Sequence, residues 1–370
     1  MCCGFESCYS CQKKCLINDV LPHILNIFLY IILLCKKKYK FGFIGTGAFG
    51  SALANVLTTN NHKVIMYGIN EQEVRNINNG NNRKYFENSE FTNPELISAT
   101  MNFEYLVDNS EILMLALPSI AINDTLATLK KIRPERKYNI INLAKSFEKN
   151  TKMFYSTYIK EYMKDNLENI ATFIGPSFAN ELFNKKATII NVFGNNPRFI
   201  TSIQKYFNNE YFRLRVADDA LAAELFASLK NVLAIGVGIL SYFDDARNTN
   251  AAFLTIGIKE ILKIYKALAK TKSYKSVADF ATFGDLILTC SSTKSRNFCY
   301  GLSIAQYGII DTEKNFEGTI EGKFTAKILE EILKVLKIKT TIFWLIINIL
   351  NNKIQPNKIL SFLAKSDEIV

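Results

Sequence analysis

Histidine is the scarcest chemically useful residue: the 370-residue chain has only His23 and His62. His23 precedes the first predicted strand, and His62 lies in a predicted turn after the first predicted helix. Neither histidine directly follows a buried strand, so none is expected at a site formed by strand ends. If the protein moves protons, lysine is the substitute, because burial and nearby positive charge lower its pKa.

Cysteine is nearly absent from the body of the chain. Of the eight cysteines, all but Cys290 and Cys299 precede residue 36. A disulfide-stapled fold would spread its cysteines, so the body has the composition of a protein from a reducing compartment. Cys8 and Cys11 have the spacing of half a zinc site, but no second pair completes it, and no metal is expected.

The chain also lacks an apolar run of membrane-spanning length, although its first 38 residues are unusual. The longest uninterrupted apolar run there is residues 27–34, followed by three lysines, whereas a span needs ~20 residues. We expect residues 1–38 to be a targeting or membrane-anchoring leader, the alternative being an extra helix packed on the body. The location stays open between the cytoplasm, a membrane surface and a plastid-like organelle.

Acidic residues are fewer than basic ones: 34 Asp and Glu against 45 Lys and Arg give a net charge of +11. No basic block alternates with aromatic residues, so nucleic-acid binding is not predicted. The charge instead favours a small-molecule partner that carries phosphate.

A glycine-rich turn lies where a nucleotide-binding fold would have one. Residues 41–44 have the length of a buried strand, residues 45–50 read Gly-Thr-Gly-Ala-Phe-Gly, and helical spacing then leads to a second strand at residues 63–67. The first glycine permits a tight turn, the second lets pyrophosphate approach the backbone, and the third allows close helix–strand packing. The helix N-terminus offers free N–H groups to phosphate. This context predicts dinucleotide binding.

The residue that binds the adenosine ribose is left open between two candidates. An acid is expected about twenty positions beyond the glycine turn, where Asn70 and Glu71 stand. A base for a 2′-phosphate is missing there, since Arg75 comes a helical turn later. NAD is the predicted cofactor, with NADP left open.

Strands and helices alternate up to about residue 216, and helical spacing dominates afterwards. In this pattern Pro118, Lys145 and Gly175 lie at the carboxyl ends of predicted strands, as Gly45 does. This pattern predicts an α/β fold: an N-terminal Rossmann-like, doubly wound, mostly parallel sheet plus an all-α C-terminal domain. The predicted divisions are the leader at residues 1–38, the NAD-binding Rossmann domain at 39–216 and the helical substrate-binding and catalytic domain at 217–370.

Two lysines and one aspartate are candidates for chemistry. Lys145 closes a predicted strand on the cofactor side of the sheet. Lys230 interrupts the apolar stripe of a helix predicted at residues 220–239, and considered alone it is expected to extend its ammonium along the helix to water. Asp285 lies amid apolar residues, where a helix cap is the simpler alternative to a catalytic role.

From about residue 41 to the C-terminus, the chain resembles NAD-dependent glycerol-3-phosphate dehydrogenases, more the bacterial type than the animal one. Six motifs occur in the family's order across both predicted domains. They are GTGAFGSALA at 45–54, RKYF at 83–86, AKS at 144–146, IGPSFANEL at 174–182, LKNVLAIGVG at 229–238, and GDLILTC at 284–290 with SRN at 295–297.

The resemblance implies an oxidoreductase that interconverts sn-glycerol 3-phosphate and dihydroxyacetone phosphate by hydride transfer with NAD(H), in a homodimer that feeds glycerophospholipid synthesis. It implies Lys230 as acid/base on the C2 oxygen, Lys145 as the group that polarises this oxygen, and Asp285 as the residue that positions the lysine. The implied substrate-binding residues are Lys145, Asn231, Thr289, Arg296 and Asn297. The turn and the resemblance together predict cofactor binding by Gly45, Thr46, Gly47, Ala48, Phe49, Gly50, Asn70, Phe86, Pro118, Ala179, Arg296 and Glu321.

The sequence departs from the family pattern at four places. Asn250 stands where the family usually has lysine or arginine, so one cation near the substrate is missing. Ser146 replaces a glycine, and Thr282-Phe283 replaces Gly-Leu ahead of the aspartate motif. Lys323-Phe324 lacks the arginine that is common after the Glu-Gly pair. These changes bear on substrate affinity and turnover more than on the reaction class.

Two alternatives stay open at this point. The first is a related lysine-dependent dehydrogenase of the ketopantoate or β-hydroxyacid type, which would not supply the Asp285–Thr289 and Arg296–Asn297 pairings. The second is a catalytically impaired, NAD-binding sensor, which Asn250 favours and the retained lysines oppose.

Overall fold

The computed structural model describes residues 38–217, 219–269 and 277–364. The predicted leader lies outside the described residues except for Lys38. Its targeting or anchoring role therefore stays a prediction.

A single sheet organises the first half of the described chain. Its strands are β1 (Tyr39–Ile44), β2 (Val64–Tyr67), β3 (Ile97–Thr100), β4 (Ser110–Leu115), β5 (Tyr138–Asn142), β6 (Leu167–Ile174), β7 (Thr188–Gly194) and β8 (Phe212–Val216). They pair in the order β3-β2-β1-β4-β5-β6-β7-β8. Neighbouring strands run parallel except β6 and β7, which are antiparallel.

Both faces of this sheet are covered, and the side chains of β4 show it. Ile112 and Met114 pack in the hydrophobic cluster on one face, whereas Leu113 and Leu115 pack in the cluster on the other. Successive side chains of a strand point to opposite faces, and a strand buried on both faces therefore reads as a continuous apolar run.

Helices cover the sheet and connect its parallel strands. After β1 the chain moves outward to β2 and β3, then returns to add β4 on the other side of β1. The strand order reverses there, which opens a crevice at the carboxyl ends of β1 and β4. The helices of this half are α1 (Ala48–Thr59), α2 (Glu71–Asn78), α3 (Arg83–Phe86), α4 (Phe103–Asn109), α5 (Ile122–Ile132), α6 (Tyr155–Tyr162), α7 (Ala179–Phe183) and α8 (Pro197–Phe207), with 3₁₀ turns at Pro94–Leu96, Ser119–Ala121 and Lys164–Asn166.

The second half is helical and forms around one central helix, α9 (Ala220–Phe243). Of the described residues, only this helix is long and apolar enough to cross a membrane, and its apolar window is wholly buried inside the protein. A Cβ on Gly238 would lie 2.1 Å from the Phe298 carbonyl oxygen, so the backbones of α9 and a neighbouring helix touch. The other elements are α10 (Arg247–Ala269), a π-helical turn (Phe280–Gly284), α11 (Asp285–Cys290), α12 (Arg296–Tyr307), α13 (Ile309–Asn315), α14 (Glu321–Leu336), α15 (Ile342–Leu350) and a 3₁₀ segment (Pro356–Phe362).

The architecture confirms the predicted fold class, an α/β Rossmann-like sheet followed by an all-α region. The sheet ends at Val216 and α9 begins at Ala220.

Candidate active site

Lys230 lies in the middle of the central helix α9 and is only 5% exposed. Its Nζ donates to the hydroxyl oxygen of Thr289 at 2.6 Å and lies 3.4 Å from Asp285 Oδ1. The expectation that this lysine, considered alone, extends to water is wrong. The lysine is buried along the helix, and polar partners on α11 satisfy its ammonium.

Asp285 lies between two lysines. Its Oδ2 is 3.1 Å from Nζ of Lys145, which also donates to the Gly175 carbonyl oxygen at 3.1 Å. The residue at the N-cap of α11 is Gly284, so the alternative of Asp285 as a helix cap is wrong. Its buried carboxylate is compensated by two ammonium groups, as a buried charge requires.

The proton affinity of Lys230 is set by opposing effects. Burial lowers its pKa, the carboxylate of Asp285 raises it, and the positive charge of Lys145 lowers it further. The net direction is downward, so neutral Lys230 forms at a lower pH than an exposed lysine would require. In contrast, burial raises the pKa of the neighbouring Cys290 thiol to about 12, which keeps this thiol protonated.

Amide groups extend this cluster away from the lysines. Asn231 Nδ2 donates to Glu321 Oε2 at 3.2 Å, and its Oδ1 accepts from Asn297 Nδ2 at 3.1 Å. Asn297 Oδ1 in turn accepts from the backbone N–H of Gly322 at 3.0 Å. The network holds three side chains from α9, α12 and α14 in fixed orientations.

One pocket of about 250 Å³ joins these groups. All the residues predicted for catalysis and substrate binding line it: Lys145, Lys230, Asn231, Asp285, Thr289, Arg296 and Asn297, together with Glu321. The pocket wall also contains residues that the sequence analysis missed, namely Ser177, Phe178, Leu288, Lys294, Ser295 and Thr319. For Lys294 the available signal was its place in the short loop between Thr289 and Arg296.

A second pocket, of about 510 Å³, lies in the crevice at the ends of β1 and β4. Gly45 has φ of +115°, and a Cβ there would lie 2.2 Å from the Ala116 carbonyl oxygen. A Cβ on Gly50 would lie 2.7 Å from the Ala116 side chain. Gly45, Thr46, Gly47 and Pro118 line this pocket, and α1 begins beside it without a side-chain cap. These features fit the pyrophosphate of a dinucleotide.

Among the acids that line the second pocket is Glu73, which the sequence analysis missed. Glu73 is 7% exposed, and its carboxylate accepts from Thr46 Oγ1 at 2.5 Å and pairs with Lys84 at 2.6 Å. Glu71 instead pairs with Arg75 at the surface, an i,i+4 spacing that could have removed it from consideration. The side chain of Asn70 caps α2 by accepting from the Glu73 N–H, and its predicted cofactor role stays a prediction.

Four apolar residues predicted at the cofactor, Ala48, Phe49, Phe86 and Ala179, lie outside both sets of lining residues. Phe86 is 3% exposed and stacks on Phe183, with ring centroids 3.9 Å apart. Phe49 lies in the first turn of α1, next to Ala48, and Ala179 begins α7. Their contacts with a cofactor stay predictions.

Two of the departures from the family pattern leave polar atoms without partners. Among the described residues, Asn250 Oδ1 and Ser146 Oγ are buried side-chain oxygens with no hydrogen bond. Asn250 lies near the start of α10, and its side chain supplies no positive charge.

Comparison with known proteins shows that both halves of the chain match models of one protein family. Residues 40–200 match the model of the NAD-dependent glycerol-3-phosphate dehydrogenase N-terminus, and residues 219–361 match that of the C-terminus. The chain is 35% identical over 319 residues to glycerol-3-phosphate dehydrogenase [NAD(P)+] of Malacoplasma penetrans, covering 85% of this chain and 93% of that protein.

The chain belongs to the NAD-dependent glycerol-3-phosphate dehydrogenase family. A second relative, from Mesoplasma florum, is 35% identical over 90% of this chain and 100% of its own length. The crystal structure of Coxiella burnetii glycerol-3-phosphate dehydrogenase has the same fold, with a TM-score of 0.78 and 23% identity over 89% of this chain and 99% of that one. The predicted resemblance to the bacterial type is confirmed.

Membership in the glycerol-3-phosphate dehydrogenase family sets aside a ketopantoate- or β-hydroxyacid-type dehydrogenase. It also confirms the predicted class of cofactor, with the relatives named for NAD(P)+. The two family matches leave residues 201–218 between them, and this stretch contains β8, the last strand of the sheet.

Proposed function

We propose that this protein interconverts dihydroxyacetone phosphate and sn-glycerol 3-phosphate by hydride transfer with NAD(H). The observation that carries the proposal is the buried Lys230 ammonium, which contacts Thr289 and Asp285 at the wall of a pocket that also contains Arg296. A bound nicotinamide supplies the hydride in one direction and accepts it in the other.

Lys230 is the proposed proton donor and acceptor. In ketone reduction its ammonium gives a proton to the C2 oxygen, and in alcohol oxidation the neutral amine takes that proton back. Because burial and Lys145 lower its pKa, both protonation states are more accessible near neutral pH than they are for an exposed lysine.

Lys145 and Asp285 support this transfer in different ways. The ammonium of Lys145 stabilises the negative charge that develops on the C2 oxygen. Asp285 holds both lysines through its two carboxylate oxygens. With one carboxylate between two ammonium groups, the site keeps a net positive charge for an oxyanion.

Arg296 and the amides are proposed to select the substrate. The planar guanidinium of Arg296 can bind a phosphate through two parallel hydrogen bonds. Asn231 and Asn297, already oriented by their mutual hydrogen bond, are proposed to bind the substrate hydroxyl and phosphate oxygens.

At the carboxyl ends of β1 and β4, the glycine turn and Thr46 are proposed to bind the cofactor pyrophosphate. Glu73 favours NAD over NADP, because its carboxylate would repel a 2′-phosphate. We further propose, from family membership, a homodimer, a role in glycerophospholipid synthesis, and domains divided near residue 216.

The test follows NADH oxidation by the full chain with dihydroxyacetone phosphate, with dihydroxyacetone and with ketopantoate. We expect turnover with the phosphorylated substrate, much weaker use of dihydroxyacetone and none of ketopantoate. If NADH binds but dihydroxyacetone phosphate is not reduced, the proposal fails and the NAD-binding sensor becomes the better account.

A further inference from the structure

The substrate pocket carries more positive charge than its own carboxylates neutralise. Its wall carries four cations, Lys145, Lys230, Lys294 and Arg296, against the carboxylates of Asp285 and Glu321. The two excess positive charges match a phosphate monoester, which carries about −1.5 to −2 at neutral pH. Lys145 and Lys230 share the single carboxylate of Asp285, so one excess charge lies with them. The other lies with Lys294 and Arg296, which face only the carboxylate of Glu321 within the pocket wall.

The loop between α11 and α12 presents Lys294 to the opposite half of the molecule. Ser295 begins α12 as its N-cap, and the backbone N–H of Lys294 donates to Ser292 Oγ at 3.1 Å. The Lys294 ammonium crosses the pocket mouth to Glu181 Oε1 at 2.8 Å and lies 5.9 Å from the Phe178 ring centre. Both of these partners belong to the sheet half.

The ion pair that holds Lys294 is weak enough to exchange. The side chains of Lys294 and Glu181 are 64% and 44% exposed, and exposed pairs of this kind contribute little to stability because solvent screens them. A phosphate dianion offers the ammonium more charge and three acceptor oxygens. Lys294 can therefore leave Glu181 for a phosphate in the pocket that both Lys294 and Arg296 line.

We propose that Lys294 is a second phosphate-binding residue, a specificity determinant that acts beside Arg296 and is held at the pocket mouth by Glu181 before substrate arrives. This inference rests on the proposed function. Binding of the substrate phosphate replaces an ion pair between the two halves with one inside the pocket.

The experiment compares Lys294→Met with Lys152→Met in the full chain. Lys152 forms a comparable ion pair with Glu331. This pair also joins the two halves, is similarly exposed and lies outside the pocket. We expect Lys294→Met to raise KM for dihydroxyacetone phosphate by about tenfold, about 1.4 kcal/mol, without changing kcat/KM for dihydroxyacetone. Lys152→Met leaves both values unchanged.

Glu181→Gln separates phosphate binding from a merely structural ion pair. The proposal predicts that this variant keeps or lowers the wild-type KM, because Lys294 is then released toward the substrate. The inference is overturned if Glu181→Gln reproduces the loss in Lys294→Met, or if Lys294→Met weakens the use of both substrates equally.

A binding measurement keeps the inference testable if the proposed reaction fails. Inorganic phosphate is titrated calorimetrically into the NAD⁺-saturated wild type and into Lys294→Met. A weaker phosphate affinity in the variant supports the inference whether or not the wild type reduces dihydroxyacetone phosphate. Equal affinities contradict it.

Discussion

The cofactor crevice and the lysine pocket differ in which part of the chain supplies their chemistry. In the crevice, Gly45 and Gly50 are needed because they have no side chain: a Cβ at either position would collide with Ala116. In the pocket, charged side chains act, and the buried ones, Lys230 and Asp285, each need a compensating partner. A backbone site of the first kind depends on local conformation, whereas a site of the second kind depends on contacts between distant segments.

Replacing Lys230 should abolish the chemistry of the pocket while leaving cofactor binding in the crevice unchanged. We expect Lys230→Met to lower kcat for dihydroxyacetone phosphate reduction by about 10²- to 10⁴-fold, the usual contribution of a general acid. The affinity for NADH, measured by fluorescence titration, should stay unchanged. Lys259→Met, at an exposed position on α10, is the control and should retain full activity. A loss of less than tenfold in Lys230→Met would sink the proposed role.

The reverse experiment weakens cofactor binding in the crevice and leaves the residues of the pocket unchanged. Gly45→Ala should raise the Kd for NADH about tenfold or more, because the turn must open to relieve the 2.2 Å contact. Gly308→Ala is the matched control: its φ is also positive, +82°, but nothing lies within 4 Å. It should cost about 1 kcal/mol in unfolding free energy and leave the Kd unchanged. Equal Kd values for both variants would contradict the steric account.

A smaller effect is expected where the two halves meet. Glu224 on α9 accepts from the hydroxyl of Ser156 on α6 at 2.8 Å. Burial raises the pKa of Glu224 to about 7, against lowering by Ser156 and Lys160. A raised pKa means that the folded state binds the extra proton, so this contribution is complete below about pH 4.5 and is lost as pH rises to about 7.

Glu224→Gln should remove that pH dependence. Relative to wild type, the variant should be equally stable near pH 4.5 and more stable at pH 8, by on the order of 3 kcal/mol. Urea unfolding at both pH values measures the difference. A stability difference that is the same at both pH values would show that the Glu224 carboxyl does not titrate in this range.

The crevice was predictable from sequence because its signals are local. The apolar run of β4 and the turn beginning at Gly45 each lie within a few residues, and strand and turn geometry follow from short-range periodicity. Glu73 was missed because distance along the chain does not say which acid of a helical turn faces inward.

Apart from Lys145, which its place at a predicted strand end singled out, the pocket was predictable only through the family resemblance. Lys230 contacts Thr289, 59 residues away, and Asp285 bridges it to Lys145, 140 residues from that aspartate. Local reasoning assigned Lys230 to solvent because helical spacing carries no information about partners on other elements. No family motif contained Lys294, so only the fold brought it to the pocket.

The most direct test of the account is the pH dependence of glycerol 3-phosphate oxidation in wild type, Asp285→Asn and Lys145→Met. Oxidation needs neutral Lys230, so the rate should rise with pH through its pKa. Asp285 raises that pKa and Lys145 lowers it. The rising limb should therefore move to lower pH in Asp285→Asn and to higher pH in Lys145→Met. Limbs that stay in place, or move in the same direction, would contradict Lys230 as the proton acceptor.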